Sequence, residues 1–91
     1  MFLKDADAEI AYRVDWSAAI AADEAISASG WSVYPVEAGG LDVLRSSLDG
    51  AEALVWLGGG VPGHVYRVGN RVTFADGAVD ERSLAIRVEE R

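Results

Sequence analysis

The sequence predicts a small all-β protein, an antiparallel β-sandwich of five to six short strands in one domain spanning residues 1–91. Hydrophobic and polar residues alternate in several segments, which is typical of strands with one buried face and one exposed face. Ten glycines and only two prolines fit the tight turns of a short-stranded fold. A chain of 91 residues is long enough for one thin core.

The last third of the chain, residues 63–89, predicts one long β-hairpin. Hydrophobic residues occupy alternate positions on its two arms: Tyr66, Val68, Val72 and Phe74, then Leu84, Ile86 and Val88. Between the arms, Ala75-Asp76-Gly77 is a turn signal, and a three-residue loop would place Gly77 in the left-handed conformation. The resulting register pairs Val72 with Asp80, Asn70 with Arg82, Val68 with Leu84, Tyr66 with Ile86, and Arg71 with Glu81. A slip by one residue would expose half of the hydrophobic set.

The N-terminal region predicts an arm followed by a strand. Residues 1–8 show no periodicity, so we expect an irregular, flexible arm. Residues 8–16 form a strand because hydrophobic side chains alternate with polar ones, namely Ile10, Tyr12, Val14 and Trp16.

Residues 17–28 allow two interpretations. We expect a turn or one helical turn over 18–23 and then a strand over 24–34, but the alanine-rich composition leaves a helix over 17–28 as the alternative. The hydrophobic positions of this strand change parity between Ala28 and Trp31. Gly30 lies at the change, which suggests a β-bulge or bend there.

The middle of the chain is less periodic. Residues 42–47 form either a short edge strand or a loop, and Asp49-Gly50 is a turn signal. Residues 51–57 are hydrophobic at both odd and even positions, which indicates a strand that is covered on both faces or that meets a partner. Tyr66 lies early in the penultimate strand, where immunoglobulin-like folds often have a corner tyrosine. We therefore expect the sandwich to be immunoglobulin-like.

Composition and charge exclude several classes of function. No cysteine is present, so disulfides and thiolate metal sites are excluded, and no hydrophobic run is long enough for a signal peptide or a membrane span. The net charge of −7 disfavours nucleic acid. The charge is also uneven: residues 1–66 carry ten acids and three bases, and the last 25 residues carry five of each. Such charges are most often solvated faces that keep a small protein soluble, and the alternative is that two opposed charged surfaces meet in an assembly.

No catalytic or metal-binding pattern is present. His64 is the single histidine, and the acids Asp76, Asp80 and Glu81 match no calcium loop. No recognisable general base accompanies Ser17, Ser46, Ser47 or Ser83. The triplet at residues 58–60 lacks the lysine of a phosphate-binding loop. We expect a non-enzymatic protein without catalytic residues, metal, cofactor or small-molecule substrate.

Several segments resemble one known family. They are Val14-Asp15-Trp16-Ser17, Trp31-Ser32-Val33, Val55-Trp56-Leu57 with the glycines that follow, and the stretch from Gly63 to Val88. Their order is similar to that of the phage fiber-tail adaptors, small structural proteins of tailed phages and prophages. The resemblance covers most of the chain from Ile10 onward. It does not extend over 35–50, and Ala78-Val79 stands where family members often have Gly-Arg.

The resemblance implies a virion protein of the neck or tail, an adaptor in the fiber-tail or head-tail connection. It would be made in the host cytoplasm and present in several copies. Its partners would be other neck or tail proteins and copies of itself, with no nucleic acid and no membrane. The candidate interface residues are Arg67, Arg71, Arg87, Trp56 and Leu54. The alternative is an immunoglobulin-like module for a surface glycan, in which Trp16, Trp31 and Trp56 could stack on sugars, or a capsid-decorating protein.

Overall fold

The computed structural model describes residues 2–20 and 25–90. Within them the chain forms seven strands and one turn of 3₁₀ helix, Ser17–Ala19: β1 (Phe2–Asp5), β2 (Ile10–Asp15), β3 (Ile26–Tyr34), β4 (Leu41–Asp49), β5 (Glu52–Gly59), β6 (Val65–Phe74) and β7 (Val79–Glu89). One sheet has the order β1-β7-β6-β3, and the other has the order β2-β5-β4. The all-β sandwich is confirmed, although with more strands than the five to six expected.

The C-terminal hairpin has the predicted register. Val68 lies opposite Leu84, Tyr66 opposite Ile86, and Arg71 opposite Glu81, and the remaining two predicted pairs are also present. Phe74 donates its backbone N–H to Ala78 at 2.8 Å, which closes the three-residue loop, and Gly77 has a φ of +91°. The pattern of alternating hydrophobic residues and the loop length were therefore sufficient to place every residue of both arms.

The core fills the space between the two sheets. One buried cluster lies between β4, β5, β6 and β7 and includes Leu41, Val55, Leu57, Tyr66, Val68, Ile86 and Val88. The second cluster lies toward the hairpin end and consists of Trp16, Ile26, Ala53, Val72 and Phe74. The hydrophobic even-numbered residues of the hairpin thus face the interior, as the alternation predicts, whereas Asp80 and Arg82 on the same face are exposed.

The expectation of an irregular arm over 1–8 was wrong for β1. This strand pairs in parallel with β7, from Phe2 opposite Ile86 to Asp5 opposite Glu89. The Phe2 ring packs edge-on against Tyr12, with 4.9 Å between ring centroids. Lys4 is buried, and its ammonium donates to the carbonyl oxygens of Gly59 at 2.7 Å and Asp5 at 2.8 Å. A buried lysine gives no hydrophobic alternation, so the sequence pattern carried no signal for this strand.

The segment after β2 follows the turn interpretation as far as it is described. One 3₁₀ turn spans Ser17–Ala19, residues 21–24 of the expected turn lie outside the described residues, and β3 is extended from Ile26. A helix over 17–28 is therefore wrong. The expected bulge at Gly30 is also wrong, because Gly30 pairs regularly with Arg71 and the register shifts between Ile26 and Ala28 instead.

The two middle strands resolve the remaining alternatives. β4 is a nine-residue edge strand, so the loop interpretation of 42–47 was wrong. It is joined to β5 by the turn at Gly50.

β5 is the central strand of the three-stranded sheet. Ala53, Val55 and Leu57 are buried in the core, whereas Leu54 and Trp56 lie half-buried on the outer face. After β5, Gly60 is required because a Cβ there would lie 2.5 Å from Val88.

Candidate interaction surfaces

The predicted interface residues lie on two opposite faces of the sandwich. Arg67, Arg71 and Arg87 project from the outer face of the four-stranded sheet, which we call the arginine face. Trp56 and Leu54 lie on the outer face of the three-stranded sheet, which we call the tryptophan face. The structure therefore brings the three arginines together and separates them from the two hydrophobic residues.

The arginines are held by neighbours on their own sheet. Arg67 donates to Ser83 Oγ at 2.9 Å. Arg71 pairs with Glu81 at 3.7 Å, and Arg87 pairs with Glu89 at 3.4 Å. These ion pairs are largely exposed, so each contributes less than about 1 kcal/mol to folding. The guanidinium groups accordingly remain accessible to a second protein.

The centre of the arginine face consists of small residues. Gly69 lies between Ser32 on β3 and Ser83 on β7, and Ala85 lies opposite Arg67. Gly69 is buried, because the Ser32 hydroxyl and the Glu81 carboxylate lie over it. Tyr34, which lies opposite Arg67 and is 74% exposed, is the largest exposed hydrophobic side chain at the border of this face.

The tryptophan face is a small hydrophobic surface under charged side chains. The Arg45 guanidinium lies 4.6 Å from the centroid of the Trp56 ring. Leu44 is half exposed and covers Gly58, where a Cβ would lie 2.9 Å from the leucine Cδ1. The hydrophobic run of β5 thus leaves one face for the core and a second face that is only partly covered.

The edge strands β3 and β4 approach each other on one side of the sandwich. A cleft of about 680 Å³ lies there, lined by Trp31 and Val33 from β3 and by Leu41 and Val43 from β4, among others. The indole Nε1 of Trp31 is buried without a hydrogen-bond partner among the described residues. Sequence reasoning missed this cleft. The signal for it was the pair of hydrophobic residues, Trp31 and Val33, at one end of an uncharged strand.

A buried polar network connects β3, β6 and the end of β2. Trp16 Nε1 donates to Asn70 Oδ1 at 2.9 Å, and Asn70 Nδ2 donates to Ser29 Oγ at 2.8 Å and to the Gly30 carbonyl at 3.1 Å. The Arg82 guanidinium lies 4.4 Å from the Trp16 ring centroid. The first motif of the family resemblance is therefore part of the fold.

The Asp15-Trp16-Ser17 motif also shapes the turn after β2. Asp15 Oδ1 accepts the backbone N–H of Ser17 at 2.8 Å. This hydrogen bond stabilises the carboxylate and lowers the pKa of Asp15. The motif supplies a turn and a core tryptophan, and Ser17 has no catalytic arrangement.

Tyr66 links two loops to the hairpin. Its hydroxyl accepts the backbone N–H of Val61 at 3.0 Å and donates to Glu37 Oε1 at 3.0 Å. His64 Nδ1 lies 2.7 Å from the same Glu37 oxygen. Burial raises the pKa of Tyr66. The single histidine thus belongs to a structural cluster that fixes the segment after β3.

The other candidate residues do not assemble into a site. Trp16 lies in the core, Trp31 lines the cleft and Trp56 lies on the tryptophan face, so the three form no common platform for a sugar. Residues 2–20 and 25–90 contain no group of three or more acidic or histidine side chains that could hold a metal ion. Within the same residues, no helix is long and hydrophobic enough to cross a bilayer.

Comparison with known proteins agrees with the resemblance of the motifs. The search of curated proteins gave no match. The family model described as Podophage GP4 fiber-tail adaptor protein gp77 matches residues 4–87. This range contains β2 to β6 in full, β1 from Lys4 onward and β7 up to Arg87. Because this match covers nearly the whole chain, the protein belongs to the podophage GP4 fiber-tail adaptor family.

Proposed function

We propose that the protein is a non-enzymatic component of the phage virion that joins fibre to tail in the neck or tail region. It acts through protein–protein contacts and is present in several copies. The observation that carries this proposal is the family match over residues 4–87. The exposed arginine face and the partly covered tryptophan face offer two separate surfaces, as a protein that binds two neighbours requires.

The contacts combine charge with hydrophobic area. The acidic surface of a neighbour, which can be another copy of the chain, contacts Arg67, Arg71 and Arg87. Trp56 and Leu54 bury hydrophobic area against a second neighbour, because aromatic and arginine side chains carry much of the binding energy in protein interfaces. The net charge of −7 supports protein partners and disfavours nucleic acid.

We also propose that the sandwich is immunoglobulin-like. This is supported by the division of its strands, since β2, β5 and β4 lie in one sheet and β3, β6 and β7 lie in the other. Constant-type immunoglobulin domains divide strands B, E and D from strands C, F and G in the same way. The hydrogen bond from the Val61 N–H to the Tyr66 hydroxyl is consistent with a corner tyrosine.

Binding to purified tail and fibre proteins encoded in the same phage or prophage genome tests the proposal. Sedimentation and native mass measurements should find a complex with at least one of them. The double variant Arg67→Glu/Arg71→Glu should weaken one contact at least tenfold, since like charges would face the acidic partner. Trp56→Ala should weaken the contact made by the tryptophan face.

Two controls separate these effects from unfolding. Arg67→Lys/Arg71→Lys keeps both positive charges and should retain most of the affinity. Ser47 lies opposite Leu54 on the tryptophan face, and replacing it with alanine removes little surface. The Ser47→Ala variant should therefore bind like the wild type. Absence of a complex with every tail and fibre protein tested, by a chain that is folded, would contradict the proposed function.

A further inference from the structure

The free edge of β3 differs from the other sheet edges. The described sheets end at β1, β3, β2 and β4, and of these only β3 contains no charged residue. β4 carries Asp42, Arg45 and Asp49, and its register shifts between Val43 and Arg45. Charges and bulges on edge strands prevent unwanted pairing. From Ala28 to Tyr34, β3 is regular and lacks both protections.

The cleft beside this edge is shaped for hydrophobic side chains. Trp31 and Val33 project from β3 into its wall, and Leu41 and Val43 form the wall on β4. Val36, which is 91% exposed, and the half-exposed Leu44 also line it. The cleft thus joins an unpaired strand edge to an uncovered hydrophobic surface.

The Trp31 indole presents its ring, and not its N–H, to the cleft. Its Nε1 is buried without a hydrogen-bond partner in the described part of the chain, so a bound chain cannot reach this atom. The ring lines the cleft and packs against the core cluster. Trp31 therefore offers aromatic surface to a chain that lies along the cleft.

We infer that the β3 edge binds an extended segment of a tail or fibre protein, which adds a strand to the four-stranded sheet. The segment pairs its backbone with 28–34 and places alternate hydrophobic side chains in the cleft beside Trp31. Peptides commonly bind exposed sheet edges in this way. The inference rests on the proposed function, because it describes how the adaptor holds one of its partners.

Charge indicates a foreign segment instead of a second copy. Asp42 is exposed at the cleft, whereas the Glu37 carboxylate beside it is held by Tyr66 and His64, so the segment carries a basic residue near Asp42. Two copies paired edge to edge would instead bring two such acidic clefts, each on a chain of net charge −7, close together. Variable-type immunoglobulin domains have extra strands beside strand C, the strand that corresponds to β3 in the proposed likeness.

Short overlapping peptides that cover the tail and fibre proteins of the same genome provide the probe. With isotope-labelled protein, a binding peptide should change the chemical shift of the Trp31 indole N–H and slow hydrogen exchange within 28–34. Trp31→Phe removes part of the aromatic surface that lines the cleft, and it should weaken peptide binding about five- to tenfold. The matched change Trp56→Phe, on the tryptophan face, should leave the affinity unchanged.

A second pair of variants tests the charge argument. Asp42→Asn should weaken the binding of a peptide that contains a basic residue. Asp49→Asn, at the far end of the same strand, should leave this affinity unchanged. If exchange slows on the arginine face or the tryptophan face instead of 28–34, or if Trp31→Phe binds as tightly as the wild type, the inference is overturned.

The same experiments separate this inference from the proposed function. If an intact tail or fibre protein binds but no peptide does and exchange within 28–34 is unchanged, the edge inference fails and the adaptor function stands. If the chain alone dimerises with concentration-dependent protection of 28–34, a second copy occupies the edge and the inference also fails. If no intact tail or fibre protein binds, the proposed function itself fails.

Discussion

Asn70 shows how much a single polar residue contributes to this fold. The hairpin register places it on the inward face, among hydrophobic residues, and it is fully buried. Its side chain accepts one hydrogen bond from Trp16 and donates to Ser29 and Gly30. Its position could be predicted from the sequence, but these partners could not, because they come from two segments, β3 and the end of β2, that only the tertiary fold brings next to it.

Replacing Asn70 with alanine should lower the free energy of unfolding by about 2–4 kcal/mol, because the buried Trp16 indole N–H loses its acceptor. Urea denaturation measures the change. Arg71→Ala, on the exposed face at the next position, is the control and should cost less than about 1 kcal/mol. Equal losses in the two variants would show that the buried network contributes nothing beyond an ordinary surface residue.

Tyr66 should make the protein less stable at alkaline pH. Burial raises its pKa in the folded state, so its contribution is fully present below the ordinary tyrosine pKa of about 10 and is lost as the pH rises through the raised value. Burial also raises the pKa of Tyr12, so Tyr12 lowers the stability at alkaline pH in the same way. Burial lowers the pKa of Lys4, so Lys4 instead favours the folded state as the pH rises.

Comparison with Tyr66→Phe isolates this effect, because the variant retains Tyr12 and Lys4. The wild type should be the more stable protein at neutral pH, where the Tyr66 hydroxyl binds Val61 and Glu37. Its advantage should shrink as the pH rises above about 10. An advantage that stays constant through the alkaline range would mean that Tyr66 titrates as it does in the unfolded chain.

At the scale of elements, local patterns predicted those strands whose hydrophobic residues alternate and whose turns have clear signals. β6 and β7 meet both conditions, and their register was correct in every pair. β1 meets neither, because Lys4 occupies its buried position and its pairing with β7 is distant in sequence. The bulge in β3 lies at its start because Ile26 enters the core cluster, and a change in hydrophobic parity cannot locate it to one residue.

The hairpin turn should be sensitive to substitution at Gly77. Its φ of +91° is unfavourable for a residue with a Cβ, although space is open around it, so Gly77→Ala should destabilise the protein by about 1 kcal/mol. Gly30 is the matched control, since its surroundings are also open and its φ is not in the positive range. Gly30→Ala should change stability by no more than about 0.5 kcal/mol, measured by the same urea titration.

If Gly30→Ala proved as harmful as Gly77→Ala, the backbone conformation would not explain the requirement for glycine in the turn.

At the scale of the whole molecule, the sandwich is elongated, about 43 Å long and 20 Å across. The sequence predicted five interface residues, and the structure distributes them over two outer faces. It could not predict the open edge, because a cleft depends on which strands end the two sheets. The three arginines share one face, where Arg71 pairs with Glu81 and Arg87 pairs with Glu89, and residues 1–66 contribute strands to both sheets.

A reconstruction of the intact virion tests the central claim most directly. The account predicts several copies of this sandwich in the neck or tail between tail and fibre proteins, with contacts on the arginine and tryptophan faces and an added strand along 28–34. A virion that lacks the protein, or one in which these surfaces remain exposed to solvent, would contradict the account.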